Sequence, residues 1–204
     1  MKPQPSSLPR VLLVCGSLHP KSANQAALDV VRTFLTDDRH ALVDQFSDLA
    51  DVPAFDPTSD EEAGAVTRLR RMIAESHAII FAVPEYAGGM AGALKNALDF
   101  MVGSGELYER PSMAISAGTT GGNHALEQLV RTLAWQGAQV VASVSISSPR
   151  TKIDQRGVFT DAPTIVALQA AVRTVVAAGS MSPQERRALA LAVLDRHGVE
   201  RRDT

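Results

Sequence analysis

Residues 78–100 read AIIFAVPEYAGGMAGALKNALDF. The run from Ala78 to Val83 is apolar without a break and stops at Pro84, which cannot donate to a strand ladder. A run of this kind is the signature of a strand buried on both faces, as in a parallel sheet covered by helices. From about Gly92 to Val102 the period changes. Leu94, Leu98 and Met101 fall on one helical face, and Ala93, Ala97 and Phe100 on another. Lys95 and Asp99 stand four apart, the spacing of a helical ion pair. Between strand and helix the chain places Glu85, Tyr86, Gly88 and Gly89 at a corner. On the residues alone this corner reads equally as a cap with a packed ring or as the wall of a site.

The same alternation extends in both directions. RVLLVC (10–15), HALVDQF (40–46), SMAISA (112–117) and AQVVASVSI (138–146) are further strand candidates. Ala27, Val30, Val31 and Phe34 give one face of a helix from Ala23 to Leu35. Val66, Leu69, Met72 and Ile73 give another, preceded by the acidic cluster Asp60, Glu61 and Glu62, which suits a helix N-terminus. Helical patterns also cover 123–135, 162–177 and 182–197, the last opened by Ser182-Pro183. Five strands alternating with helices predict a doubly wound α/β fold: a five-stranded parallel sheet with helices on both faces. Residues 10–197 form a single domain in this reading, with 1–9 as a disordered lead and 198–204 as a tail. The polar stretch 147–160 reads as a surface loop.

The 204 residues carry a formal net charge of −2, which argues against a nucleic-acid footprint or a polybasic membrane surface. The one cysteine, Cys15, cannot form an intrachain disulfide. No apolar run approaches a membrane span, and MKPQPSSLP lacks the apolar core of a signal peptide, so a cytoplasmic location is expected.

Sheets of this class bind ligands beyond the carboxyl ends of their strands, at the switch in strand order. Three loops lie there. GSLHPKSAN (16–24) offers Gly16 for a sharp turn and Ser17, Ser22 and Asn24 as polar groups before a helix start, where free N–H groups favour a phosphate. It reads equally as an ordinary turn with Ser22 as N-cap. PEYAGG (84–89) adds a flat ring and glycines that would let backbone approach a flat ligand. SAGTTGGN (116–123) adds Gly118, Gly121 and Gly122, with Asn123 as a candidate helix cap. Cys15 with Lys21-Ser22 mimics the C-x5-R-[ST] anion loop of low-molecular-weight tyrosine phosphatases, but with a lysine that cannot grip phosphate bidentately.

Taken together, GSLHPKSAN and PEYAGGMAGALKNALDF resemble the NADPH-dependent FMN reductase family, which includes quinone, chromate and azo-dye reductases. The family pattern is G-S-L-R-x-x-S-x-N followed by P-E-Y-N-x-x-x-P-G-x-L-K-N-A-[IL]-D-W. The resemblance implies a flavodoxin-like fold holding FMN, in a homodimer or homotetramer. Ser17, Ser22, Ala23 and Asn24, with His19 in the arginine's place, would meet the phosphate. Pro84, Glu85, Tyr86, Ala87 and Gly88 would border the isoalloxazine ring, and Ser116 and Gly118 the third flavin loop. Ala87 replaces the family asparagine, which removes an amide that could serve ring or substrate. His19 also replaces a planar guanidinium, which meets phosphate bidentately, with an imidazole that cannot.

The activity implied is passage of electrons from NADPH or NADH through FMN to a quinone-like or other small acceptor, with no side chain required as acid or base. A non-enzymatic flavodoxin-type electron carrier is the alternative, although such carriers are strongly acidic. For the nicotinamide 2′-phosphate, Arg110, Arg150 and Arg156 are candidates, each equally readable as solvated. The two-faced helix 92–102 predicts a subunit interface built on Phe100.

Overall fold

The computed structural model describes residues 8–37, 39–58 and 63–200. The acidic cluster Asp60–Glu62 lies outside them.

β1 (Arg10–Cys15) pairs in parallel with β2 (Leu42–Phe46) on one side and β3 (Ala78–Ala82) on the other. β3 continues in parallel to β6 (Pro111–Gly118), and β6 to β8 (Gln139–Ser147). These five strands are the expected ones. A sixth, β7 (Thr120–Gly121), lies antiparallel on β8, so the sheet has six strands in the order β2-β1-β3-β6-β8-β7. A separate antiparallel hairpin, β4 (Glu85–Tyr86) and β5 (Gly89–Met90), stands above β3.

The unbroken apolar runs follow from the pleat, which sends successive side chains to opposite faces. Leu12 and Val14 enter one core with α2 (Gly64–Glu75), α3 (Gly92–Asp99) and α4 (Asn123–Trp135). Val11, Leu13 and Cys15 enter the other with α1 (Ala23–Asp37) and α5 (Ala162–Ala178). α6 (Pro183–Arg196) opens with a capping box between Ser182 and Glu185 and contributes Val193 to the first core. Val199 is also buried there, so the packed chain continues past residue 197.

Two expectations about helices change. α3 does present two apolar faces, but Phe100 at its end meets Phe55 edge to face at 5.0 Å, so this chain itself covers part of the second face. The Lys95–Asp99 ion pair forms as expected, at 2.6 Å. α4 is capped not by Asn123 but from Gly122, whose φ is +68°.

The order reverses between β1 and β3. That reversal places the loops after these two strands side by side, and Gly16 N–H donates to Ala82 O at 2.7 Å across the join. Gly122 closes the neighbouring strand end so tightly that a Cβ there would fall on the Ser116 hydroxyl. Gly122→Ala is therefore expected to cost about 2 to 5 kcal/mol, from the left-handed backbone and from overpacking. The check is a urea unfolding curve: a lowered midpoint at unchanged slope is expected, and an unchanged midpoint would remove the constraint.

Candidate functional site

The loop after β1 is built by its own polar side chains. Ser17 Oγ accepts from His19 N–H at 3.2 Å, and His19 Nδ1 accepts from Lys21 N–H at 3.2 Å. Ser22 Oγ accepts from Gln25 N–H at 3.1 Å and so caps α1. Asn24 is buried and spends its amide on one residue: Nδ2 donates to Ala117 O at 3.2 Å, and Oδ1 accepts from Ala117 N–H at 3.0 Å. Gly16 is not in a left-handed conformation. It is needed for closeness, since a Cβ there would lie 3.0 Å from Leu94 Cδ2. The side chains expected to reach a phosphate thus mostly hold the loop. Ser17, His19 and Lys21 also line the cavity, beside the first turn of α1, whose leading N–H groups have no helical partner.

The second wall is the β4–β5 hairpin. Its turn residues Ala87 and Gly88 have φ of +50° and +74°, the signs of a two-residue primed turn. The hairpin is fastened to α4 at two points. Glu85 Oε2 accepts from His124 N–H at 2.9 Å and Ala125 N–H at 3.2 Å, and Gln128 Oε1 accepts from Met90 N–H at 2.7 Å. Glu85 is therefore a cap, but of a helix 38 residues further on, counted from Glu85 to Asn123, where its charge meets the positive end of the dipole. Gly89 faces Gln128, not a ligand: a Cβ there would lie 2.9 Å from Oε1. Tyr86 is 60% exposed.

Ser116 sits beneath the site, fully buried, with its hydroxyl donating to Val83 O at 2.7 Å. Gly118 and Thr119 form the third wall. A fourth wall comes from Ser148–Asp154, in the stretch read as a surface loop. Ser148 N–H donates to Thr119 O at 3.2 Å, and Pro149–Thr151 forms a 3-10 turn. Asp154 Oδ1 accepts from Val158 N–H and Arg156 N–H, both at 2.9 Å. The Val158 bond is the main cause that holds its carboxyl below the usual range. Ile153 bridges to Phe159, which is buried. The available sequence signal was Asp154 three residues before Gly157, a turn closed by an apolar anchor.

The four walls enclose an open cavity of about 850 Å³. Ser17, His19, Ser22, Ala23, Asn24, Pro84, Glu85, Tyr86 and Gly118 line it; Ala87 and Gly88, at the hairpin tip, and Ser116, below, do not. Arg110 is withdrawn, donating to Ser76 O at 2.7 Å and Ala74 O at 3.0 Å at the end of α2. Arg156 pairs with Asp154 at 3.2 Å, and of the three arginines only Arg150 lines the cavity. Cys15 is 8% exposed, and burial pushes its thiol up despite bonds from the Ser17 amide and Ser22 hydroxyl. That is opposite to what a thiolate nucleophile needs.

Residues 9–152 match the NADPH-dependent FMN reductase family. The chain belongs to this family. An NAD(P)H-dependent FMN reductase of Pseudomonas aeruginosa is 31% identical over 160 residues, covering 74% of this chain and 85% of that one. The NAD(P)H-dependent FMN reductase ntnL of a Nectria species is 40% identical over 82 residues, 40% of this chain; the match spans only 38% of that relative's length. Among solved structures, the flavoenzyme NAD(P)H:(acceptor) oxidoreductase FerB of Paracoccus denitrificans superposes with a TM-score of 0.70 at 23% identity, covering 85% of this chain and 98% of that one. That likeness shows the flavodoxin-like fold.

The donor set suits the family's cofactor. A phosphate monoester fits the first turn of α1 with its outward donors, and a flat ring system fits beside Pro84 and the exposed face of Tyr86. The family's asparagine after the tyrosine acquires a backbone explanation: Ala87 occupies a left-handed position that asparagine and glycine adopt more readily. Ala87→Asn is expected to raise stability by about 1 kcal/mol, measured as a higher urea midpoint. A lower midpoint would mean that the turn relaxes in solution.

Proposed function

We propose that this protein is an NAD(P)H-dependent oxidoreductase that holds FMN in the four-walled cavity and passes electrons to a quinone-like or other small acceptor. The observation that carries the reading is the single cavity that joins the turn of Ser17–Asn24 to the wall of Pro84–Tyr86 at the strand-order switch. FMN, when bound, supplies hydride acceptance from a nicotinamide and release of the electrons to a second substrate.

The protein's part is position. The N–H groups of Ala23 and Asn24 at the start of α1 would face the phosphate, with the Ser17 hydroxyl and the Nε2–H of His19 beside them. Because His19 Nδ1 accepts from Lys21 N–H, the neutral ring can donate from Nε2 without disturbing the loop. Pro84 and Tyr86 would hold the ring, and Glu85, engaged with α4, would fix their orientation. The cavity is open, which suits entry of nicotinamide and acceptor in turn.

Residence in the cytoplasm and assembly as a homodimer or homotetramer belong to the same proposal. None of the helices among the described residues is long and apolar enough to cross a membrane. With Phe100 partly covered by Phe55, support for assembly moves to Val102, Tyr108 and Trp135, each at least 60% exposed.

Purified protein mixed with FMN is expected to quench flavin fluorescence. Addition of NADPH or NADH without air should then bleach the flavin absorbance, with no partner reductase present. Bleaching that requires a separate reductase would assign the carrier role instead. Absence of binding by protein with a native unfolding transition would sink the proposal.

A further inference from the structure

We propose that Arg150, on the turn after β8, is the permanent cation that grips the FMN phosphate. This inference rests on the FMN reading above and concerns how the same cavity secures its ligand's charge. A phosphate monoester carries about −1.5 to −2 at neutral pH, more than a helix terminus of roughly half a charge balances. The turn 16–22 contains no arginine, and its histidine has one nitrogen occupied by Lys21 N–H. Lys21 also lines the cavity and supplies one further charge, and both it and Arg150 are exposed. Arg150 lines the same cavity and has no partner among the described residues, whereas Arg110 and Arg156 are both committed elsewhere.

The turn that carries Arg150 is built to hold it. Ser148 has φ of +48°, a left-handed conformation that a non-glycine residue keeps only where neighbours over-determine it. Those neighbours are identifiable. Ser148 N–H is fastened to Thr119 O, itself beyond the Ala117 that Asn24 holds. Thr151 returns to Ser148 O through both N–H at 3.1 Å and hydroxyl at 2.9 Å. Pro149 is buried on one side of Arg150, and Phe159 anchors the returning strand on the other. The acidic neighbour in the cavity, Asp154, is turned into its own loop and paired with Arg156, so it does not claim Arg150. The chain of contacts Asn24–Ala117 and Thr119–Ser148 ties the backbone of this turn to the start of α1, the end of the cavity where the phosphate would lie. A planar guanidinium can meet two phosphate oxygens at once, which an ammonium cannot.

The test compares binding of FMN with binding of riboflavin, the same ring system without the phosphate. Dissociation constants are read by flavin fluorescence for wild type, Arg150→Gln and Arg150→Lys, each checked for an unchanged melting transition. Expected is a 10- to 100-fold weakening of FMN in Arg150→Gln, the scale of a lost charged hydrogen bond, with Arg150→Lys between the two. Riboflavin affinity should not change, and the salt dependence of FMN binding should flatten in Arg150→Gln. Equal losses for FMN and riboflavin would overturn the proposal, as would unchanged FMN affinity. A changed preference between NADPH and NADH with FMN affinity intact would overturn it too, by moving Arg150 to the nicotinamide's phosphate. A wild type that binds neither flavin defeats the FMN reading itself, and the assignment of Arg150 with it.

Discussion

A single buried side chain ties together three of the four walls of the site. Asn24, in the first turn of α1, gives its amide N–H to Ala117 O and receives Ala117 N–H on its carbonyl. Both bonds lie in the protein interior, where an unmet backbone group costs roughly 1–3 kcal/mol. This pair sets the start of α1 against the end of β6 and so fixes the gap that the turn 16–22 must span. Its internal bonds then leave little freedom. The third and fourth walls follow from the same point, since Thr119 lies two residues beyond Ala117 and carries Ser148. The second wall is held separately, by Glu85 and Gln128 against α4.

The site divides between groups spent on holding its loops and groups left available to a ligand. Ser22, Asn24, Glu85, Gln128 and Ser116 have their polar atoms directed to backbone partners. These bonds are made before any ligand arrives, so binding need not spend ligand contacts on ordering the loops. The groups that remain are few: first-turn N–H groups, the Ser17 hydroxyl, one edge of His19, Lys21, Arg150 and the face of Tyr86. They combine cationic and N–H donors with one aromatic face, the chemistry that a phosphorylated flat ring system calls for. Glu85 illustrates why an acidic residue can stand in such a site. Its charge is met by the N-terminus of α4 and is not left facing the ligand.

The sequence made the sheet legible because burial on two faces writes a continuous apolar run. β1 agrees with its reading to the residue because its apolar run is unbroken, and α4 likewise because it is long enough to display a helical period. β7 is two residues long and has no period to read, which is why five strands were expected and six are found. The site loops were legible from residue types and from family resemblance, but the roles inside them were not. Glu85 on α4, Gly89 on Gln128 and Phe100 on Phe55 are all contacts between distant segments, and local pattern carries no information about them. The turn 148–154 was missed for a related reason: polarity and turn residues describe a surface loop and a site loop equally well. Ala87, which stands where the family pattern has asparagine, occupies a left-handed turn position that no local pattern announces.

Amide hydrogen exchange with and without FMN examines the four-walled site as a unit. Slowed exchange is expected together in 16–25, 84–90, 116–123 and 148–158, with the remote helix α6 unchanged. Protection confined to a different set of segments, or an FMN complex that leaves the turn 16–25 unprotected, would contradict the placement of the cofactor at the switch between β1 and β3.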